Sequence, residues 1–262
     1  MANLRKLIET NQGELRVVAM MSGSGTNLVK IIEHQERIRS EYNKYIYKVV
    51  SILTDNPSSN AGKIGKEYNI PVEINDIREF YRKKGLARKD LSVREEFDKI
   101  SLSVIEKFKP DILVLAGYMS ILTKVIINKY LTINVHPADL SIKDKDGRRK
   151  YTGAYAVRDA ILAGEKYICS STHIVEEAVD NGRLLLISEP VNVILPDEFN
   201  PDDKTSLKMA EELNQNRLKE KGDWKILPLT IEYLALGFFE EDENSVIHFK
   251  GRPVPDGFRI QT

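Results

Sequence analysis

The chain has 262 residues, 42% hydrophobic and 30% charged, enough apolar surface to fill a core without disulfides or a structural metal, so a disordered tail and a small stapled domain are excluded. Lys plus Arg number 39 and Asp plus Glu 39, a formal net charge of zero that lacks the basic excess of a dedicated nucleic-acid binder. The single Cys169 can form no internal disulfide, and no Cys pair has the spacing of a zinc site, so no metal is expected and any chemistry falls to other groups.

Residues 1–16 read as a polar lead-in with one short amphipathic turn and without the segments of a signal peptide. The longest apolar stretch, 111–127, is interrupted by Ser120, Thr123 and Lys124, so a soluble, cytoplasmic protein with no membrane association is expected. Strands are predicted at 15–21, 45–54, 71–74, 111–115 and 132–136, with helical stretches between them. The clearest helix covers 92–108: Ser92 and Glu95 have capping-box spacing, Phe97, Ile100, Leu102, Ile105 and Phe108 approximate one apolar face, and Pro110 stops it. This alternation predicts an α/β fold with a mostly parallel central sheet and helices on both faces. Next come a charged loop at 143–150, a helix at 155–163, strands at 169–175 and 184–193, a charged helix from Asp202 to about Glu220 and a helix around 227–236. A closing hairpin turns at Gly251, and neither an internal repeat nor a dividing linker is present.

Met21-Ser22-Gly23-Ser24-Gly25-Thr26-Asn27-Leu28 ends the first strand and opens the first helix. Amides at a helix start are unpaired, glycines let an anion approach the main chain and hydroxyls add donors, so the loop reads as an anion site; the plain alternative is a tight strand-to-helix turn. The third glycine of a dinucleotide fingerprint is replaced by Leu28, and no Walker lysine follows. Further on, Asn134 and His136 alternate at the carboxyl end of a strand, where an open α/β sheet presents its ligand crevice. An amide and an imidazole there can address one reacting atom. Asp180 lies in Asp180-Asn181-Gly182, whose ordinary role is to turn the chain, and spacing alone does not bring it to His136. His34 and His248 sit in ordinary helix and hairpin contexts.

Taken in order, Ser22 to Leu28, Arg94-Glu95, the run Leu113 to Leu122, Asn134-Val135-His136-Pro137, and Ser171 to Val175 leading to Asp180-Asn181-Gly182 resemble the folate-dependent formyltransferase family. Within it, the resemblance is greatest to the branch that formylates glycinamide ribonucleotide in purine biosynthesis. The resemblance implies one Rossmann-like formyltransferase domain over 1–262, with a phosphate-binding half at about 15–136 and a folate and catalytic carboxy-terminal half. It implies 10-formyltetrahydrofolate as co-substrate and Asn134, His136 and Asp180 as the catalytic trio. The acceptor ribonucleotide would meet Gly25, Thr26, Asn27, Glu220 and Asp223; the folate would meet Arg94, Met119, Ser120, Ile121, Leu122 and Asn134, with Glu176, Glu177, Ala178, Val179 and Asp180 as another wall. For Met119, Ile121 and Leu122, core packing is the plain alternative.

Two segments depart from the family. Ala138-Asp139-Leu140-Ser141 stands where the family usually has Ser-Leu-Leu-Pro, and 143–150 adds Lys143, Lys145, Arg148, Arg149 and Lys150, a basic set that would meet a folate tail or a phosphate, or else remain a solvated loop. Asp223-Trp224 stands for the usual Glu-His, after roughly a dozen extra residues in the preceding helical region. Hydrolysis of the formyl folate, formylation of a sugar nucleotide or of initiator transfer RNA, and non-catalytic folate binding are the alternatives, and oligomeric state stays open.

Overall fold

The computed structural model describes residues 3–9 and 13–260, so part of the lead-in expected at 1–16 lies outside the described residues. The described part of that lead-in holds a two-residue strand, β1 (Arg5–Lys6). Two compact units are distinguished: Ile8–Asn134 with Leu234–Gly237, and Met1–Leu7 with Val135–Tyr233 and Phe238–Thr262.

The first unit runs β2 (Leu15–Met21), α1 (Thr26–Tyr42), β3 (Tyr47–Thr54), α2 (Ala61–Tyr68), β4 (Val72–Ile74), α3 (Ile77–Lys84), α4 (Arg94–Ile105), β5 (Ile112–Leu115), α5 (Lys124–Ile127) and β6 (Leu131–His136). The last two residues of β6, Val135 and His136, are counted with the second unit. The strands pair in parallel in the order β6-β5-β2-β3-β4. Parallel neighbours cannot be joined by a tight turn, so the chain returns through helices. Every residue of β5 is buried, which requires cover on both faces of the sheet and explains its unbroken apolar sequence. The β2–β3 ladder slips between Val17 and Val18, passing over Val50, and Gln35 of α1 accepts the Val49 N–H there at 2.7 Å.

In this unit the five predicted strands are present, within two residues at each end, but α4 differs from its sequence reading. Its N-cap is Val93, with no side-chain cap; the Ser92 amide donates instead to Asp90 Oδ1 at 2.9 Å, so the capping box does not form. The buried face is Arg94, Phe97, Asp98, Ser101 and Ile105, while Ile100 is exposed. Polar residues are accommodated there because most have partners: Asp98 accepts both the Thr123 amide (2.6 Å) and hydroxyl (2.8 Å), and Ser101 Oγ accepts from Asn75 at 2.8 Å.

The second unit continues with α6 (Ala156–Leu162), β7 (Tyr167–Ile168), β8 (Ser171–Ile174), β9 (Leu184–Ile187), β10 (Val191–Asn192), α7 (Lys204–Leu218), α8 (Trp224–Ala235), β11 (Phe239–Glu241), β12 (Ile247–Phe249), β13 (Arg252–Pro253) and β14 (Phe258–Arg259). β8 and β9 are antiparallel, and β14 lies parallel to β9. The single strand expected at 184–193 is two, because Pro190, lacking an N–H, divides it; β10 pairs with β7 instead. β1, β11, β12 and β13 form an antiparallel sheet whose last hairpin turns at Gly251, φ 76°, as expected. Among the described residues no helix is long and apolar enough to cross a membrane.

Candidate active site

The first unit builds a site largely from main chain. Gly25 is the N-cap of α1 in the left-handed region (φ 72°), and no side chain caps the helix. The positive φ selects glycine, and a Cβ on Gly25 would fall 2.4 Å from Ile64 Cδ1, so that side chain would have to move aside. The loop is fixed from two sides. Asn56 Nδ2 donates to the Ser22 carbonyl (2.9 Å), and Asn60 donates its amide N–H to Gly23 and its Nδ2 to the Ser24 carbonyl, both at 3.1 Å. Ser22 donates its N–H to Gly117 (3.0 Å) and accepts the Met119 amide on its Oγ (2.9 Å), which joins the glycine loop to the segment after β5. The first-turn amides of α1 thus end a rigid loop, a geometry suited to an anion.

In that second segment Met119 is 72% exposed and Ile121 46%, whereas Leu122 is buried, so core packing describes only Leu122. Ser120 donates its hydroxyl to Asp55 Oδ2 and accepts from Arg88 Nη2 at 3.2 Å. Arg94 lies inside, its guanidinium over the rings of Tyr81 (5.2 Å) and Phe97 (5.8 Å), with Nη2 donating to the Arg88 carbonyl at 3.3 Å.

The second unit builds a buried cluster of side chains. His136, at the end of β6, places Nδ1 3.4 Å from Asp180 Oδ2 and donates from Nε2 to the Tyr151 carbonyl at 2.9 Å. The turn expected at Asp180 is present, with Asp180 at φ 56° and the Asn181 amide bonded to Ala178 at 3.1 Å. Asp180 Oδ2 also accepts the Gly153 N–H (2.7 Å), and its Oδ1 lies 3.7 Å from His173 Nε2. Asn134 precedes His136 by two residues in the same strand and pairs with Leu115 of β5.

In both imidazoles a backbone carbonyl takes one N–H, His173 Nδ1 donating to Ile174 at 2.8 Å, so the remaining nitrogen of each faces Asp180. A proton taken up by either ring therefore lies against that carboxylate. Burial lowers the His136 pKa below the ordinary imidazole value, opposed by Asp180 and the Tyr151 carbonyl and reinforced by Arg149. Burial also lowers His173, to about 4, leaving it neutral beside the carboxylate. Sequence reading missed His173 as a member, although its place one residue before the carboxyl end of the strand Ser171–Ile174 carried the signal. The Gly153 amide and Tyr151 carbonyl carry none, being main-chain groups.

The remaining predicted residues are more dispersed. Glu176, Glu177, Ala178 and Val179 are exposed in the turn before Asp180, with Glu176 accepting from Arg183 Nε at 3.1 Å. Glu220 is exposed in the π-turn Lys219–Asp223, whereas Asp223 is buried and accepts the Ser170 hydroxyl at 2.5 Å. Burial pushes the Asp223 carboxyl up to about 6. In the basic loop, Lys143 pairs with Asp256 at 3.7 Å and Lys150 with Glu165 at 3.3 Å.

Residues 15–213 match the family model for formyl transferases. The phosphoribosylglycinamide formyltransferase of Escherichia coli is 27% identical over 251 residues, covering 93% of this chain and 98% of that protein. The trifunctional purine biosynthetic protein adenosine-3 of Chironomus tentans is 30% identical over 177 residues, 65% of this chain; the match spans only 11% of that longer protein. The structure of phosphoribosylglycinamide formyltransferase from Coxiella burnetii, in complex with CHES, shares the fold with a TM-score of 0.69 at 23% identity, covering 95% of this chain and all of that one. The family match takes in the glycine loop, His136 and Asp180 and ends before Glu220 and Asp223. This chain belongs to the formyl transferase family.

Proposed function

We propose that this chain transfers the formyl group of 10-formyltetrahydrofolate to the amine of glycinamide ribonucleotide, in the cytoplasm and as one formyltransferase domain over 1–262, with phosphate binding at about 15–136. The observation that carries the reading is the buried His136–Asp180 pair, at 3.4 Å, within a chain of this family. The acceptor's amine is its own nucleophile, so no covalent enzyme intermediate is needed. Its nitrogen attacks the formyl carbon, the carbonyl oxygen gains the negative charge, and collapse breaks the bond to N10 of the folate as the proton lost by the amine is delivered to N10, releasing tetrahydrofolate. Asn134 holds the formyl oxygen. With Nε2 engaged by Tyr151 and Nδ1 facing Asp180, His136 stabilises the oxyanion through the positive charge of its imidazolium, which Asp180 supports.

Gly25, Thr26 and Asn27 receive the acceptor phosphate at the start of α1. The exposed apolar side chains of Met119 and Ile121 supply a pterin wall, with the turn 176–180 as a second wall. Of the two other residues expected to meet the acceptor ribonucleotide, Glu220 is exposed, whereas Asp223 is already engaged with Ser170. The test is deformylation of 10-formyltetrahydrofolate followed by absorbance, with and without glycinamide ribonucleotide. Turnover that requires the ribonucleotide is expected. Equal turnover without it makes water the acceptor, and binding of folate with no turnover in either case removes glycinamide ribonucleotide as the acceptor, leaving another amine or a binding role.

A further inference from the structure

We propose that Arg149 is a positioning residue that sets the Asp180 carboxylate against His136, a proposal that rests on the formyl-transfer reading of that pair. Arg149 belongs to the charged loop 143–150, which is folded rather than merely solvated. Lys143 and Arg149 form an antiparallel bridge, Asp144 Oδ1 accepts the amides of Asp146 and Arg148 (both 2.9 Å), and Gly147 turns the chain at φ 77°. From the returning side of this hairpin the half-buried Arg149 guanidinium donates through Nη1 to the Asp180 carbonyl (2.5 Å) and through Nη2 to the Gly182 carbonyl (2.8 Å).

The turn it grips is the most constrained backbone of the cluster. Asp180 is left-handed at φ 56°, and Gly182 is so close to Ile174 that a Cβ on it would lie 1.7 Å from that carbonyl oxygen. A left-handed residue other than glycine persists only where its surroundings over-determine it. Here one planar fork spans the two carbonyls, and four residues further on the same segment supplies the Gly153 amide to Asp180 Oδ2. The Tyr151 carbonyl, from between these residues, takes the His136 Nε2 proton, so segment 149–153 touches both members of the pair. The positive charge of Arg149 works against a proton on His136, so what it contributes is geometric. A lysine, a single point charge on a flexible stem, keeps the charge and loses the fork.

Arg149→Lys and Arg149→Met in the full chain test this, by steady-state kinetics and by NMR of the Gly153 amide and the His136 ring at fixed pH without substrate. Both variants are expected to lose about 10- to 100-fold in kcat with KM for folate and acceptor within about twofold, as displacement of a catalytic group by about 1 Å does. The Gly153 amide proton moves upfield as its bond to the carboxylate lengthens, and the His136 signals shift with it. Wild-type kcat in Arg149→Lys with loss only in Arg149→Met makes charge the operative property and overturns the proposal. A raised KM at unchanged kcat, identifying a ligand contact, also overturns it. If Arg149→Met does not fold, the lysine variant decides alone. If the wild-type chain transfers no formyl group, the two NMR signals still decide whether Arg149 positions Asp180, which separates this proposal from the reading on which it rests.

Discussion

The glycine loop and the His136 cluster are both parts of the inferred machinery, and they are built from opposite materials. The loop presents backbone: Gly25 at φ 72°, the first turn of α1, and a Ser22 that ties Gly117 and Met119 to it. The cluster presents side chains whose ionisation depends on burial, with His136 and His173 on either side of one carboxylate, at 3.4 Å and 3.7 Å. A site made of main chain tolerates changes in most of its side chains and fails when its geometry is blocked. A site made of buried titratable groups keeps its shape after a conservative exchange and loses its charge distribution.

The largest effect therefore belongs to the cluster. Asp180→Asn and His136→Ala should each lower kcat about 10²- to 10⁴-fold while folate affinity, measured by equilibrium titration, stays within about threefold. Asp180 raises the His136 pKa, so its neutralisation lowers it further. The high-pH limb, where activity is lost as the imidazolium deprotonates, should move to lower pH in Asp180→Asn; an unmoved limb would break the electrostatic half of the comparison.

Asp223 gives the next largest effect, on stability. Its carboxyl is raised from an ordinary 3.8 to about 6, chiefly by burial, so the folded chain binds its proton more tightly than the unfolded chain. The contribution is fully present below about pH 4 and is lost as pH rises to about 6, on the order of 3 kcal/mol at about 1.4 kcal/mol per unit. Asp223→Asn, which keeps an acceptor for Ser170, should remove that segment of the pH dependence of stability measured by urea unfolding, so that the difference between wild type and variant changes between about pH 4 and 6. Gly25→Ala should cost about 1–3 kcal/mol through its positive φ and the contact with Ile64, and raise the acceptor KM more than it lowers kcat. Smallest is Met119→Ala: at 72% exposure it should change stability by no more than about 0.5 kcal/mol yet raise the folate KM about three- to tenfold. An unchanged folate KM would remove Met119 from the pterin wall.

The strands of the parallel sheet were legible because apolar runs such as Ile112–Leu115 have no other place than a sheet covered on both faces. The glycine loop was legible because left-handed φ and close backbone approach select a residue type. The buried face of α4 was not legible, since Asp98 and Ser101 are inside only by virtue of distant partners, Thr123 and Asn75. Nor was the split of 184–193, where the partner of β10 is β7 rather than an extension of β9. The sequence by itself determined the alternation of elements, the glycine loop, and which residues carry titratable groups, because those follow from local sterics and from periodicity. Only the tertiary structure decided that Asp180 meets both His136 and His173, that Arg149 grips the turn holding it, and that Asp223 turns inward to Ser170. Apart from Asp180 and His173, which lie seven residues apart and meet across the turn between them, those contacts join residues 30 or more positions apart.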